Sequence, residues 1–177
     1  DRVKAFILIA TAGFNTYLDV DPSKVKTGIS SPAFTGTPES MKELLEPIIF
    51  RKETLDIGLL SMRAEAANNQ MESYNTAAKW NREAAQDDDR RQLLHLQGRL
   101  DKLTIPAIYL YGRQDVLGPV ENAYLQEDQL PNIQVFYPDQ CVHQGQSDQP
   151  DMFNQVFLEF FRDGKVSRKT ADWAGVS

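Results

Sequence analysis

The chain has 177 residues, long enough to bury a core without disulfides or metal staples and too short for more than about one domain. Hydrophobic residues make up 41% and charged residues 25%, the balance of an ordinary globular protein, and no apolar run reaches the roughly 18 residues that a membrane span needs. With 19 basic against 25 acidic residues the net charge is −6, and the absence of a local basic stripe argues against nucleic acid as a partner.

The chain opens almost directly on Val3–Ala10, a near-continuous apolar run that reads as a strand covered on both faces, followed by Thr11-Ala12-Gly13 as turn chemistry. The Asp1-Arg2 start lacks the basic and apolar regions of a signal peptide. Cys141 is the sole cysteine and can form no internal disulfide, so the reduced cytoplasm is the expected address. Residues 14–37, with Pro22, Gly28, Pro32 and Gly36, read as irregular loop. Thr37-Pro38 then starts a helix, an N-cap hydroxyl followed by proline at the first helical position. Met41, Leu44, Leu45, Ile48 and Ile49 recur at helical spacing, and Pro47 predicts an end or kink near Glu46. Further helical stretches are predicted over 53–68, 71–86 and 88–100, together a small helical cap.

Ile105–Tyr111 is the second strand, ending in Gly112-Arg113-Gln114-Asp115. Pro119–Leu130 reads as a helix, Pro131-Asn132 as a turn, and Ile133–Tyr137 as the third strand. Met152–Asp163 is the last helix, with Phe153, Val156, Phe157, Phe160 and Phe161 on one face and Gly164 as its stop. The tail from Lys165 either docks through Trp173 or stays mobile. This order predicts an α/β fold with a parallel sheet. Residues 1–13 and 101–177 would form the core, and 14–100 the loop and helical cap.

Asp115 and His143 each follow the C-terminal end of a predicted strand, where open α/β sheets place their ligands. Adjacent parallel strands would set the two loops side by side. An aspartate that orients a histidine supplies the acid and base of a nucleophile–base–acid relay, and the chain order fits. A turn aspartate and an unrelated loop histidine is the alternative that spacing leaves open. No nucleophile elbow accompanies the pair: Gly28-Ile29-Ser30-Ser31-Pro32 and Gly145-Gln146-Ser147-Asp148-Gln149 are half-matches that neither follow a strand nor enter a helix directly. Cys141, two residues before His143, reads as a core thiol. His95 reads as a surface or cap residue, and Asp87-Asp88-Asp89 as a solvated helix start. Two histidines without spaced carboxylates give no metal site, and no glycine-rich phosphate loop or other cofactor motif is present.

The run Ile105-Pro106-Ala107-Ile108-Tyr109-Leu110-Tyr111-Gly112-Arg113-Gln114-Asp115 with Pro119 resembles the seventh strand and acid turn of α/β-hydrolases. Leu130-Pro131-Asn132, Cys141-Val142-His143, Asp148, Pro150 and Phe153-Asn154 resemble the eighth strand, histidine loop and last helix. The chain is most similar to the meta-cleavage-product hydrolases, which cleave carbon–carbon bonds in aromatic and steroid ring degradation. In that resemblance Asp1-Arg2-Val3 through Gly13 matches the sixth strand and its loop, which follow the family's nucleophile. The resemblance spans nearly the whole chain but only the later part of the fold. It implies Asp115 as the acid and His143 as the base, with the serine, the oxyanion hole and the first strands lying outside these residues. Val142 and Gln144 stand where the family often has glycine and tryptophan, and Glu46 where a cap arginine is expected, with Arg51 and Arg63 nearby.

The expected reaction is therefore hydrolysis of a small-molecule substrate, a 2-hydroxy-6-oxo-dienoate or an ester. The rival expectation is a truncated, non-catalytic binding or assembly module. The cap is expected over the C-terminal edge of the sheet, with Ile48, Ile49, Phe50, Leu59, Met62 and Trp80 as pocket walls or, alternatively, as packing among the helices. The strand Val3–Ala10 is expected to pair with a missing N-terminal half or a second copy.

Overall fold

The computed structural model describes residues 2–11, 18, 20–96, 98–100 and 102–176. Three parallel strands, β1 (Phe6–Ile9), β2 (Ala107–Leu110) and β3 (Ile133–Phe136), stand in the order β1-β2-β3. Phe6 is in register with Ala107 and Ala107 with Ile133. The helices are α1 (Pro38–Leu45), α2 (Ile57–Ala85), α3 (Asp88–Leu94), α4 (Glu121–Glu127), α5 (Gly145–Asp148), α6 (Pro150–Asp163) and α7 (Arg168–Trp173). Among the described residues no helix is long and apolar enough to cross a membrane.

The period-2 alternation of the strands sorts the core onto two faces. Ala107, Tyr109, Ile133 and Val135 pack with Ala123 of α4, and Leu18 and Val20 close this side. Ile108, Leu110 and Phe136 pack on the opposite side against Met152, Phe153, Val156 and Phe160 of α6. Each such buried side chain contributes about 1.5–3 kcal/mol of burial energy, so α6 is the main clamp on that face. Gly164 ends α6 in the left-handed region at φ 70°. β2 is buried throughout whereas β1 is only half-buried, because among the described residues β1 is an edge strand. Both faces of β1 are nonetheless covered in part, Phe6 and Leu8 packing into one cluster and Ile7 and Ile9 into the other, so what stays open is its hydrogen-bonding edge.

A third apolar cluster joins Met41 and Leu45 of α1, Ile48, Ile49, and Leu60 and Ala64 of α2. Val116 and Leu117, the residues just past Asp115, pack against it, so this helical layer rests on the turn that follows β2. Thr37 caps α1 by accepting from the Ser40 N–H, and Pro47 replaces the next turn by a short 3-10 helix over Glu46–Ile48.

The helices predicted over 53–68 and 71–86 are one continuous element, α2. Asn68-Asn69-Gln70 holds no Gly or Pro, and the weak propensity of Asn, well under 1 kcal/mol per residue, is too small to interrupt an established helix. The stretch predicted over 88–100 stops at Leu94, with His95 extended at its C-cap. There the chain leaves the helix and packs Leu96, Leu100 and Leu103 against the sheet cluster. The loop predicted over 14–37 is anchored where it is described. Asn122 accepts from the Lys26 N–H at 2.7 Å and donates to the Lys26 carbonyl at 2.9 Å. Residues 12–17 and 19, including the turn expected at Ala12-Gly13, lie outside the described residues. The tail docks, but not through Trp173, which is exposed: Ala171 and Ala174 enter the core, and Val176 pairs antiparallel with Phe136.

Candidate active site

The loops after β2 and β3 are laced together by their backbones. The Arg113 N–H donates to the Pro138 carbonyl at 3.1 Å and the Gln114 N–H to the Cys141 carbonyl at 3.0 Å. The Gln114 side chain accepts from the Cys141 N–H at 3.0 Å and donates to Asp139 at 2.6 Å, which holds the Asp139 carboxyl below its ordinary range. Gly112 lies where this contact is tightest: a Cβ there would collide with the carbonyl oxygens of Cys141 and Val142. Only glycine lets the two loops approach this closely.

That approach brings Asp115 and His143 together. Asp115 is buried, and its Oδ1 accepts from the N–H groups of Leu117 at 2.9 Å and Gly118 at 3.1 Å. Its Oδ2 lies 2.9 Å from His143 Nδ1. A carboxylate only accepts, so the ring proton sits on Nδ1 and leaves the Nε2 lone pair free to take a proton. The His143 side chain keeps 31% of its surface exposed while that of Asp115 keeps none, a buried anchor beneath an accessible ring.

A second buried carboxylate, Asp148, organises the His143 loop from the other side. Its Oδ2 accepts from the Val142 N–H at 2.9 Å, and its Oδ1 from the N–H groups of Phe50 at 2.7 Å and Arg51 at 3.2 Å. The Gln144 N–H donates to the Ile48 carbonyl at 3.1 Å. The Gln114 bridge and the Asp148 hub do not follow from motif spacing. The available signal for Asp148 was an acid five residues after His143, immediately before a helix that opens at Pro150.

Among the described residues no serine, threonine or cysteine side chain is hydrogen-bonded to His143. Ser30 is exposed on its loop and Ser147 lies within α5. Cys141 is fully buried, and burial followed by the charges of Asp148 and Asp139 pushes its thiol up to about 12, which keeps it protonated at neutral pH. No group of three His, Cys, Asp or Glu side chains among the described residues could hold a metal ion.

The six expected pocket walls do not share one place. Ile48 and Ile49 are buried inside the helical cluster, and Leu59 is half-buried. Phe50 is 43% exposed and lines a cleft of about 430 Å³ with Arg51, Glu53, Gln140, Gln149 and Trp173, whose walls include neither Asp115 nor His143. Met62 and Trp80 are 59% and 57% exposed on the same helix. At 1.5 Å rise per residue they stand about 27 Å apart along α2. A hairpin of two helices would have folded Trp80 back; an unbroken helix carries it away, against the Arg90 guanidinium 4.8 Å from its ring centre. Trp80 is therefore withdrawn from any pocket shared with Phe50 and Met62.

No protein-family profile matches the chain. The meta-cleavage product hydrolase from Pseudomonas fluorescens IP01 superposes on 93% of this chain and 57% of its own, with TM-score 0.62 and 22% identity. The chain has the α/β-hydrolase fold. A serine hydrolase involved in carbazole degradation superposes with TM-score 0.60 and 19% identity over 90% of this chain and 54% of its own. In sequence, the 2-hydroxy-6-oxononadienedioate/2-hydroxy-6-oxononatrienedioate hydrolase of Burkholderia vietnamiensis is 23% identical over 126 residues, 71% of this chain and 42% of that protein. This α/β-hydrolase-fold chain thus spans about half the length of the relatives it matches.

Proposed function

We propose that these residues are the acid–base part of a serine-type α/β-hydrolase, with Asp115 as the orienting acid and His143 as the general base. The observation that carries the reading is the 2.9 Å contact between a buried carboxylate and His143 Nδ1, on the loops after two adjacent parallel strands. In this mechanism a serine supplied from outside these 177 residues attacks the substrate carbonyl while Nε2 takes its proton. The same nitrogen then returns the proton to the leaving group, and Asp115 stabilises the imidazolium in between.

The proposed substrate class, a 2-hydroxy-6-oxo-dienoate, is supported by two relatives, one a 2-hydroxy-6-oxononadienedioate/2-hydroxy-6-oxononatrienedioate hydrolase and the other a meta-cleavage product hydrolase. In a carbon–carbon hydrolase the base step first assists ketonisation of the dienol. The serine then attacks the ketone, the carbon–carbon bond breaks as the leaving carbon takes the proton, and water deprotonated by Nε2 hydrolyses the acyl-enzyme. In this reading residues 14–100 serve as loop and helical cap over the core of 1–13 and 101–177. Of the six expected wall residues, Phe50 and Met62 are exposed and Leu59 is half-buried, and these three are the ones still available to a substrate in this reading. The open edge of β1 takes a further parallel strand, from the N-terminal half of the fold or from a second copy.

The rival reading, a non-catalytic binding or assembly module, draws on the absence of a hydroxyl or thiol bonded to His143 among the described residues. The test is hydrolysis of a coloured 2-hydroxy-6-oxo-dienoate and of an activated ester by the product of the full reading frame. Faster turnover of the dienoate, lost on His143→Ala, is expected. Ester-only turnover would move the assignment to an esterase, and no turnover of either substrate would favour the binding module.

A further inference from the structure

Asp148 and Glu159 are buried acids that the proposed chemistry does not use, and of the two Asp148 is the one that sits beside His143. It is 1% exposed, and all three of its hydrogen-bond donors are backbone N–H groups rather than a lysine or arginine. Those donors belong to two separate parts of the chain. Val142 directly precedes His143, whereas Phe50 and Arg51 lead out of the helical layer formed by Met41, Leu45, Ile48 and Ile49. The residue on the other side of His143, Gln144, is bonded straight to Ile48. Both neighbours of His143 are thus tied to the four residues 48–51, one through the Asp148 carboxylate and one directly.

We propose that Asp148 is a positioning residue for His143: its carboxylate fixes the backbone at Val142 against Phe50 and Arg51, and so holds the ring at the angle that meets Asp115. The functional meaning of this role rests on the reading of His143 as the general base; the geometry does not. Asp115 sets the tautomer from beneath the ring, and Asp148 sets where the ring stands. It also makes the seating of the helical layer a condition for the correct placement of His143. A buried carboxylate with three N–H donors has no neutral equivalent, because an amide offers one oxygen to the two sets of donors and turns its NH2 toward the other. The cost of leaving a buried donor unpaired falls on the backbone beside His143.

The test reads the ring itself, by NMR of the full chain labelled with 15N-histidine, with His95 and His143 distinguished by a His143→Gln spectrum. The parent is expected to show a low-field Nδ1 proton and the 15N pattern of a ring protonated on Nδ1, both lost in Asp115→Asn. Asp148→Asn is expected to lose the low-field proton and to mix the tautomers. Leu130→Ala, which opens a cavity in the other sheet cluster, is expected to destabilise the chain while the low-field proton persists. Retention of the proton and tautomer in Asp148→Asn would overturn the proposal. Absence of the low-field proton in the parent would instead overturn the Asp115–His143 pairing, and with it the proposed function. Should Asp148→Asn fail to fold, amide exchange in the parent decides. Val142 and Phe50, held by one carboxylate, are expected to be protected alike, and a freely exchanging Val142 would defeat the proposal.

Discussion

Asp115 reads the state of His143 through one oxygen while the other is occupied by the Leu117 and Gly118 N–H groups, so the carboxylate cannot rotate away from the ring. Asn at position 115 preserves the shape but can turn an NH2 toward Nδ1, which favours the wrong tautomer. Under the proposed role, Asp115→Asn in the product of the full reading frame is expected to lower kcat on the order of 10⁴-fold, the size of the same change in serine proteases, with little effect on folding. Steady-state kinetics beside a denaturation curve would check both halves of that statement. Asp115 and His143 were legible in the sequence because each follows an apolar β-run at the place where parallel sheets expose their loops. The roles of Asp148 and Gln114 were not, since each joins parts of the chain that are far apart in sequence (Phe50 lies 98 residues from Asp148, and Cys141 lies 27 from Gln114), and no local pattern encodes such a pairing.

At the level of elements, the approach of the two loops depends on Gly112. Gly112→Ala places a methyl group against two carbonyl oxygens, so the loops must part. A loss of about 1–3 kcal/mol is expected, the usual cost of overpacking, together with loss of the low-field His143 proton. Urea unfolding and the same NMR signal would report the two effects separately. The α6–α7 turn carries a pH-dependent tie: Glu159 accepts from Gln155, the Ser167 N–H and Thr170, and these hydrogen bonds hold its carboxyl down at about 2 against an ordinary 4.5. A depressed folded-state value stabilises fully above the unfolded value and is lost as pH falls through the folded one. The advantage of the parent over Glu159→Gln in thermal midpoint is therefore expected to be constant at neutral pH and to shrink between about pH 4.5 and 2. A difference that stays constant down to the acid end would contradict this role for Glu159. Element types were largely legible, because helical and strand periodicity are local. The merging of two predicted helices into α2, and the stop of α3 at Leu94, were settled by cooperativity and by burial of Leu96, Leu100 and Leu103, which no window of sequence displays.

For the whole molecule, the two ends of the sheet differ. β3 is capped by Val176, and the Tyr137 N–H donates to the Gly175 carbonyl at 2.8 Å. β1 has no such cover among the described residues. The Phe6 N–H donates to Pro106 and the Ala10 N–H to Leu110, so Phe6, Leu8 and Ala10 face β2, and the backbone groups of Ile7 and Ile9 face the open edge. An edge of this kind is a template for another strand. The purified 177 residues are expected to associate in light scattering. Ile9→Pro, which removes an outward donor, is expected to weaken that association more than Ile9→Ala does. A stable monomer would show that the β1 edge needs no partner. The proposed division, with acid and base in these residues and the nucleophile supplied from elsewhere, stands on the Asp115–His143 pair. Its most direct test is turnover of an activated ester, measured on the 177 residues alone and on the product of the full reading frame. Background rates are expected from the first and enzyme-like rates from the second, falling roughly 10³- to 10⁴-fold on His143→Ala. Enzyme-like turnover by the 177 residues alone, abolished at Ser30, Ser147 or Cys141, would contradict it, as would a full-frame enzyme indifferent to His143→Ala.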